Sequence, residues 1–450
     1  MKRIRLGEEG ADAALDALAG SAEGALREAE EVARPIVEGV RDGGDAALLR
    51  YTKEFDGAAL AAGEIEVPRA EWERAAETLP AEAREALALA AGRIRAFHEA
   101  CLPRTIEFAP APEERLSLAP IPLSRVGLYA PGGRAVYPST VLMSAVPARA
   151  AGVEEIVLCT PPSAGGEAPP AVLAAAALAG VDRVFRAGGA QAVAAMAYGT
   201  ETVPRVDKIV GPGNVYVSAA KRLVRGAVEV DKDAGPSEVV VILDDPARAE
   251  WAAADLLAQA EHDPGAMAVG VGIGPEAADA LAAEIEAQSA RAPRREVIER
   301  ALAGRGAVLE ARDREEALAA AERLAPEHLE LLIERAGEAA GRIRNAGAIF
   351  CGPWSPAPMG DYIAGPNHVL PTGGAARYAS PLGVHDFLKW TSRIELGPGA
   401  AARLAGPAAA LADLEGLPAH ARALRLRIPS GEGAIPGGEG ASGAPPEDGG

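Results

Sequence analysis

Between Arg125 and Val224 the chain alternates four times between a short apolar segment and an alanine-rich one. RVGLYAPGG leads into VLMSAVPARAAG, EEIVLCTPP into AVLAAAALAG, DRVFRAGG into QAVAAMAYG, and DKIVGPG into NVYVSAAKRLV. The first member of each pair is short, apolar and closed by Gly or Pro, as a buried strand is. The second is rich in Ala and Leu and long enough for a helix. Parallel strands need crossovers of this length, so the pattern predicts a parallel sheet covered on both faces by helices. In such sheets ligands bind beyond the carboxyl ends of the strands. That rule singles out the loops Tyr129–Gly133, Gly188–Gln191 and Gly211–Asn214.

A second α/β stretch begins with the strand EVVVILDD, Glu238–Asp245. A helix ending in AAADLLAQAEHDPG follows. Then come a strand (AMAVGVGI), helices over 275–288 and 294–302, a strand (GAVLEAR), a helix (REEALAAAERLA) and a buried strand (AGAIFCG). The Pro- and Gly-rich run WSPAPMGDYIAGPNHVLPTGGAARY reads as a long loop, and loops of that length in compact domains are usually functional. Residues 1–100 read as amphipathic helices: 22–40 with a break near Pro35, 45–51, and 68–100 with a break near Pro80. His98 lies in that pattern as a packing residue. From Pro429 onward the composition predicts disorder. The fold class is therefore α/β, with two Rossmann-like parallel-sheet domains that lack GxGxxG, and small helical extensions at both ends.

Net charge is −19, and no basic block exceeds a local KR pair. This argues against nucleic-acid or anionic-membrane partners, which need clustered Lys and Arg. No stretch supplies the roughly 18 apolar residues of a membrane span, and MKRIRLGEEG carries no secretory apolar run. The cysteines, Cys101, Cys159 and Cys351, are odd in number and far apart, which fits a reducing, cytoplasmic setting.

Five groups of residues carry chemistry. Gln259 and His262 stand three apart at the end of a helix that Pro264 should stop, and so share one face. A histidine there either caps the helix or, with the amide oxygen, ligates a divalent metal. The glycine turns AGGAQ and GPGN are either tight turns or phosphate cradles. Glu327 and His328 in APEHL mark a helix start; they are either a solvated N-terminus or a carboxylate and imidazole serving one pocket as bases. Asp361 sits between glycine turns, as an Asx-turn residue or a metal ligand, with His368 in the same loop. Glu415 and His420 in LEGLPAHARAL lie at a surface helix start near the ordered C-terminus.

Taken together and in order, YAPGGRAVYPSTVLM, AGGAQAVAAMAYGT, KIVGPGNVYV, AGPSE, LLAQAEHDP, APEHLEL, GDYIAGPNHVLPT and LEGLPAHA resemble the histidinol dehydrogenase family, over about Pro35 to Arg427. The resemblance implies NAD-dependent oxidation of L-histidinol to L-histidine, the last step of histidine biosynthesis. It implies an intertwined homodimer with shared active sites and one zinc ion per subunit. Gln259, His262 and Asp361 would bind the metal with His420 of the partner subunit. Glu327 and His328 would be the catalytic pair. Tyr129, Gln191 and Asn214 would contact NAD; Ser237 and Glu415 would contact substrate beside Gln259, His262, His328, Asp361 and His420. The implied division is an N-terminal extension (1–24), a discontinuous metal and catalytic domain (25–128 with 238–382), an NAD-binding domain (129–237), a C-terminal extension reaching the partner (383–428) and a disordered tail (429–450). Lys232-Asp233 stand where the resemblance leads one to expect an apolar pair. A related dehydrogenase of another small amino- or sulfo-alcohol is the alternative, and Glu415 favours an amine-bearing substrate.

Overall fold

The computed structural model describes residues 1–20, 23–132, 136–232 and 235–428. The expected disordered tail, Gly133 and Asp233 lie outside them. The chain divides into two compact units: Met1–Leu102 with Pro122–Lys389, and Pro103–Ile121 with the chain from Trp390.

The strands are β1 (Lys2–Arg5), β2 (Ile106–Phe108), β3 (Glu114–Pro122), β4 (Arg125–Tyr129), β5 (Glu155–Thr160), β6 (Arg183–Arg186), β7 (Lys208–Val210), β8 (Glu229–Val230), β9 (Glu238–Leu243), β10 (Met267–Ile273), β11 (Gly306–Ala311), β12 (His328–Leu332), β13 (Ala348–Cys351) and β14 (Leu388–Leu396). The first unit holds two parallel sheets. The five-stranded one runs β6-β5-β4-β7-β8 and the six-stranded one β1-β11-β10-β9-β12-β13. A three-stranded sheet, β14-β3-β2, underlies the second unit, which also carries the helices Pro398–Leu414 and Pro418–Arg425.

The five-stranded sheet matches the four-fold alternation. Its helices are Pro138–Ala150, Pro170–Ala179, Gly189–Tyr198 and Val215–Val224. Pro170 opens one at its first turn, where no N–H is needed, and Gly180 closes it at φ 77°. The Asn214 side chain caps another by accepting from the amides of Tyr216 and Val217, both at 3.1 Å. β4 and β7 are neighbours although β5 and β6 intervene in the chain, so the strand order reverses between them. The six-stranded sheet reverses in the same way between β9 and β12. Its central strands are fully buried, as EVVVIL and HLELL show.

Four expectations need correction. Residues 1–20 do not simply form a helical extension: Lys2–Arg5 is an edge strand parallel to β11, with Arg5 paired to Glu310 at 2.9 Å. Four residues rich in charge give no readable alternation. The helix over 22–40 does not break at Pro35; it runs as Glu23–Tyr51, and its irregularity falls at Gly44 (φ 54°). APEHL does not start a helix. Pro326 follows the helix Arg314–Leu324 and a left-handed Ala325, and the chain passes straight into β12. The two-residue alternation of HLELL is the signal that outweighs the proline. Finally, Cys351 is exposed at the end of edge strand β13, while Cys159 is fully buried, and burial pushes its thiol up to about 12.

Among the described residues, no helix is long and apolar enough to cross a membrane.

Gly272 tests the tightness of the second sheet. A Cβ there would lie 2.3 Å from the backbone nitrogen of Ala278. Gly272→Ala should destabilise the fold by about 1–3 kcal/mol. A lower urea midpoint with unchanged slope is the expected result.

Candidate active site

The site grows from one residue's main chain. The amide of Glu238, first residue of β9, donates to Glu327 Oε2 at 2.9 Å. The carbonyl of Glu238 lies 3.0 Å from His328 Nδ1. A carbonyl only accepts, so Nδ1 carries a hydrogen and Nε2 is the nitrogen turned to the site. Glu327 Oε2 lies 3.4 Å from Nδ1, and Asp361 Oδ1 lies 3.5 Å from Nε2. The imidazole stacks on Phe350, with centroids 5.9 Å apart. Nε2 is buried and makes no hydrogen bond. Burial opposes charge on this ring, but the Glu327 and Asp361 carboxylates outweigh it and raise His328 well above the usual histidine value. Burial would likewise raise Asp361, and His328, with His368 and His262, holds it below the usual range instead.

Glu327 and His328 therefore do touch, contrary to the helical reading, because they sit at a strand start where both side chains face the Glu238 backbone. They lie at the amino ends of β9 and β12, the opposite edge from that predicted for ligands. The helix Ala249–Ala260, which leads from β9 back to the start of β10, brings its C-terminus to the same edge. Gln259 is buried in its last turn. His262 lies beyond the helix and is exposed, so the two do not share a helical face as expected. The helix stops at Ala260 because Asp263 forms its own turn, accepting from the Gly265 amide at 2.8 Å. Asp361 is not in a glycine turn but near the end of a short helix, Ala357–Tyr362. His368 Nδ1 lies 2.8 Å from the Asp361 carbonyl, and burial lowers its pKa. Ser237 is half-buried just before β9. Glu415 and His420 belong to the second unit, where both are exposed.

Tyr129, Gln191 and Asn214 cluster at the carboxyl ends of the five-stranded sheet. Tyr129 closes β4, and its hydroxyl accepts from the Gly189 amide at 3.1 Å. Buried Gln191 donates to Asp56 Oδ2 at 3.2 Å. Burial pushes the Asp56 carboxyl up to about 6, against the Gly188 amide and Gln191, which hold it down. Asn214 stands past Gly211, whose added Cβ would lie 2.2 Å from the Tyr129 carbonyl oxygen. This places the three around the strand-order reversal.

Several supporting residues escape sequence reasoning. The Glu238 side chain is buried against Arg305 at 2.9 Å, and burial raises its pKa. Glu330, two residues past His328, is fully buried and accepts from the Ala357 amide at 2.7 Å, so it pins the helix that carries Asp361. Asp255 stands beside Glu330, and burial raises both carboxyls. Alternation along β12 hints at Glu330; nothing local marks Arg305 or Asp56. Lys232 is bonded to the Ser380 carbonyl, and burial lowers its pKa. Among the described residues no three His, Cys, Asp or Glu side chains are gathered as a metal site. Of the four implied ligands, only His262 and Asp361 are of those types and in the first unit.

A buried acid–imidazole pair at the edge of one parallel sheet, in the same compact unit as a second parallel sheet with glycine turns where its strand order reverses, is the framework of an α/β enzyme. The histidinol dehydrogenase family model matches residues 21–428. Histidinol dehydrogenase of Aromatoleum aromaticum is 50% identical over 417 residues, covering 92% of this chain and 95% of that protein. The Nitrosomonas europaea protein of that name is 50% identical, over 89% and 93% of the two chains. The crystal structure of histidinol dehydrogenase from Elizabethkingia anophelis superposes with a TM-score of 0.89 at 33% identity, covering 95% of this chain and 98% of that one. The chain belongs to the histidinol dehydrogenase family, and it is an oxidoreductase.

Arg305→Met would leave the Glu238 carboxyl buried beneath the site without its cation. A loss of about 3–5 kcal/mol in unfolding free energy is expected, read by chemical denaturation.

Proposed function

We propose that this site oxidises L-histidinol to L-histidine through L-histidinal, using two NAD+ and one water. The observation that carries the reading is the buried His328 imidazole, fixed through Nδ1 by the Glu238 carbonyl with Glu327 on that side, and presenting an Nε2 that makes no hydrogen bond and lies 3.5 Å from Asp361 Oδ1. The Glu238 carbonyl holds the tautomer that a proton acceptor at Nε2 requires. His328 takes the alcohol proton as hydride departs to NAD+. The aldehyde stays bound, and Glu327, held by the Glu238 amide, activates water to attack it. The gem-diol then loses its proton to His328 as the second hydride leaves. The sum is L-histidinol + 2 NAD+ + H2O giving L-histidine, 2 NADH and 3 H+.

The residues fit a divalent metal. Asp361 keeps its charge despite burial, a helix C-terminus with its negative dipole end faces the same edge, and the donors are nitrogen and oxygen, as zinc accepts. Gln259, His262 and Asp361 would hold zinc, one per subunit, with His420 of the partner subunit in a homodimer. When bound, the metal orients the substrate's amine and imidazole. Ser237 and Glu415 complete the substrate contacts. NAD is held on the 129–237 segment by Tyr129, Gln191 and Asn214. The 25–128 and 238–382 segments carry the metal and catalytic residues, and 383–428 reaches the partner.

Absorbance at 340 nm should record two NADH per histidinol consumed; a stoichiometry of one removes the four-electron sequence. Mixing His420→Ala chains with Gln259→Ala chains should restore partial activity, because a heterodimer rebuilds one intact site of two. No recovery, with heterodimers shown to form, removes the shared site.

A further inference from the structure

The five-stranded sheet buries one complete ion pair that the reaction above does not use. Lys221 Nζ lies 2.6 Å from Asp231 Oδ1, with side chains 2% and 1% exposed. Lys221 is in the helix Val215–Val224, and Asp231 directly follows β8. Burying two charges is costly, and an apolar pair of similar volume is often as stable or more so. A role beyond stability is therefore called for, and the partners point to it. Lys221 Nζ also donates to the Gly211 carbonyl at 2.5 Å, and Asp231 Oδ2 accepts from the Gly211 amide at 2.8 Å.

Both polar groups of one peptide residue are thus gripped by the two ends of one ion pair. That residue is the first glycine of GPGN. It has φ 116°, a left-handed-side conformation that other residues rarely adopt, and it lies against the Tyr129 carbonyl with no room for a Cβ. The loop leads to Asn214, whose side-chain oxygen is already committed to the helix cap, so its position depends on the loop backbone.

We propose that Lys221 and Asp231 are positioning residues for the dinucleotide: they fix the Gly211–Asn214 loop in its binding shape before the cofactor arrives. The inference rests on the NAD site proposed above. Pre-ordering of this kind raises affinity by removing an ordering cost from the binding step.

The test pairs Lys221→Met with Asp231→Asn in one chain. Methionine matches lysine in length, asparagine still accepts from the Gly211 amide, and no lone charge is left buried. Only the grip on the Gly211 carbonyl and the ion pair are lost. The KM for NAD+ and the Kd for NADH by fluorescence titration should rise about tenfold, while the KM for histidinol and the zinc content stay within twofold. Equal NADH affinity in the folded variant overturns the clamp. Wild-type protein that binds no NADH overturns the NAD site itself, so the two failures are distinct. Hydrogen exchange on the unmutated protein reads the same point without a variant. The Gly211 amide should be protected in the free protein; protection that arises only when NADH is added overturns the proposal.

Discussion

The main chain of Glu238 is the constraint on which the proposed catalytic edge depends. Its amide and carbonyl point away from the sheet ladder, one to the Glu327 carboxylate and the other to the His328 ring. This requires β9 and β12 to lie side by side in one register, His328 opposite Val239. A slip of one residue would turn His328 to the other face of the sheet and detach both side chains. Register here is set by full burial on both faces, so the packing of apolar residues along EVVVIL and HLELL decides the chemistry at their ends. The Glu238 side chain is anchored in turn by Arg305, which also reaches back to the Leu18 carbonyl. The first helix of the chain therefore contributes to holding a site made by residues some three hundred positions later.

The proposed cofactor and metal sites lie at opposite edges of the two sheets, and the electrostatics of the helices fit that division. At the carboxyl ends of the five-stranded sheet, helices begin: Gly189 and Val215 follow Gly188 and Asn214 directly. Helix N-termini present free amides and positive potential, which suits a pyrophosphate. At the amino ends of the six-stranded sheet a helix finishes, with Gln259 in its last turn. A helix C-terminus presents carbonyls and negative potential, which suits a cation. The segment after Asp361 spans the two, since His368 meets Thr140 and Asn367 donates to the Met143 carbonyl on the helix after β4.

The parallel sheets were legible because each strand is short, apolar and bounded by Gly or Pro, and each crossover is alanine-rich. Glu327, His328 and Asp361 were legible as chemistry, but the local structure around them was not. Pro326 reads as a helix start in isolation, and the alternation of HLELL becomes decisive once β9 and β13 pair with it. Asp361 reads as a turn because the first amide of its helix, that of Ala357, is satisfied by Glu330, 27 positions earlier. Lys2–Arg5 failed for the same reason: an edge strand this short is defined by its partner. Arg305 and Asp56 carry no local signature, since each acts on a residue far away in sequence.

Unsatisfied buried atoms in this molecule are not spread evenly in cost. Several are hydroxyls, such as those of Thr52, Ser144 and Thr160, whose rotation limits the loss. Of the costlier ones among the described residues, His328 Nε2, Glu238 Oε2 and Glu330 Oε2 fall on the adjacent strands β9 and β12, while both ring nitrogens of His98 and Arg186 Nε lie elsewhere. Glu238 and Glu330 lower their cost by binding protons more tightly, which is the direction burial drives both. His328 moves in the same direction for another reason: the charges of Glu327 and Asp361 raise its proton affinity against its own burial. The proton gained at Nε2 faces the Asp361 carboxylate, whose Oδ1 lies 3.5 Å away. For the base role proposed for His328, the fold settles which nitrogen gives and takes that proton by tying the ring's other nitrogen to a main-chain carbonyl that no side-chain motion can withdraw.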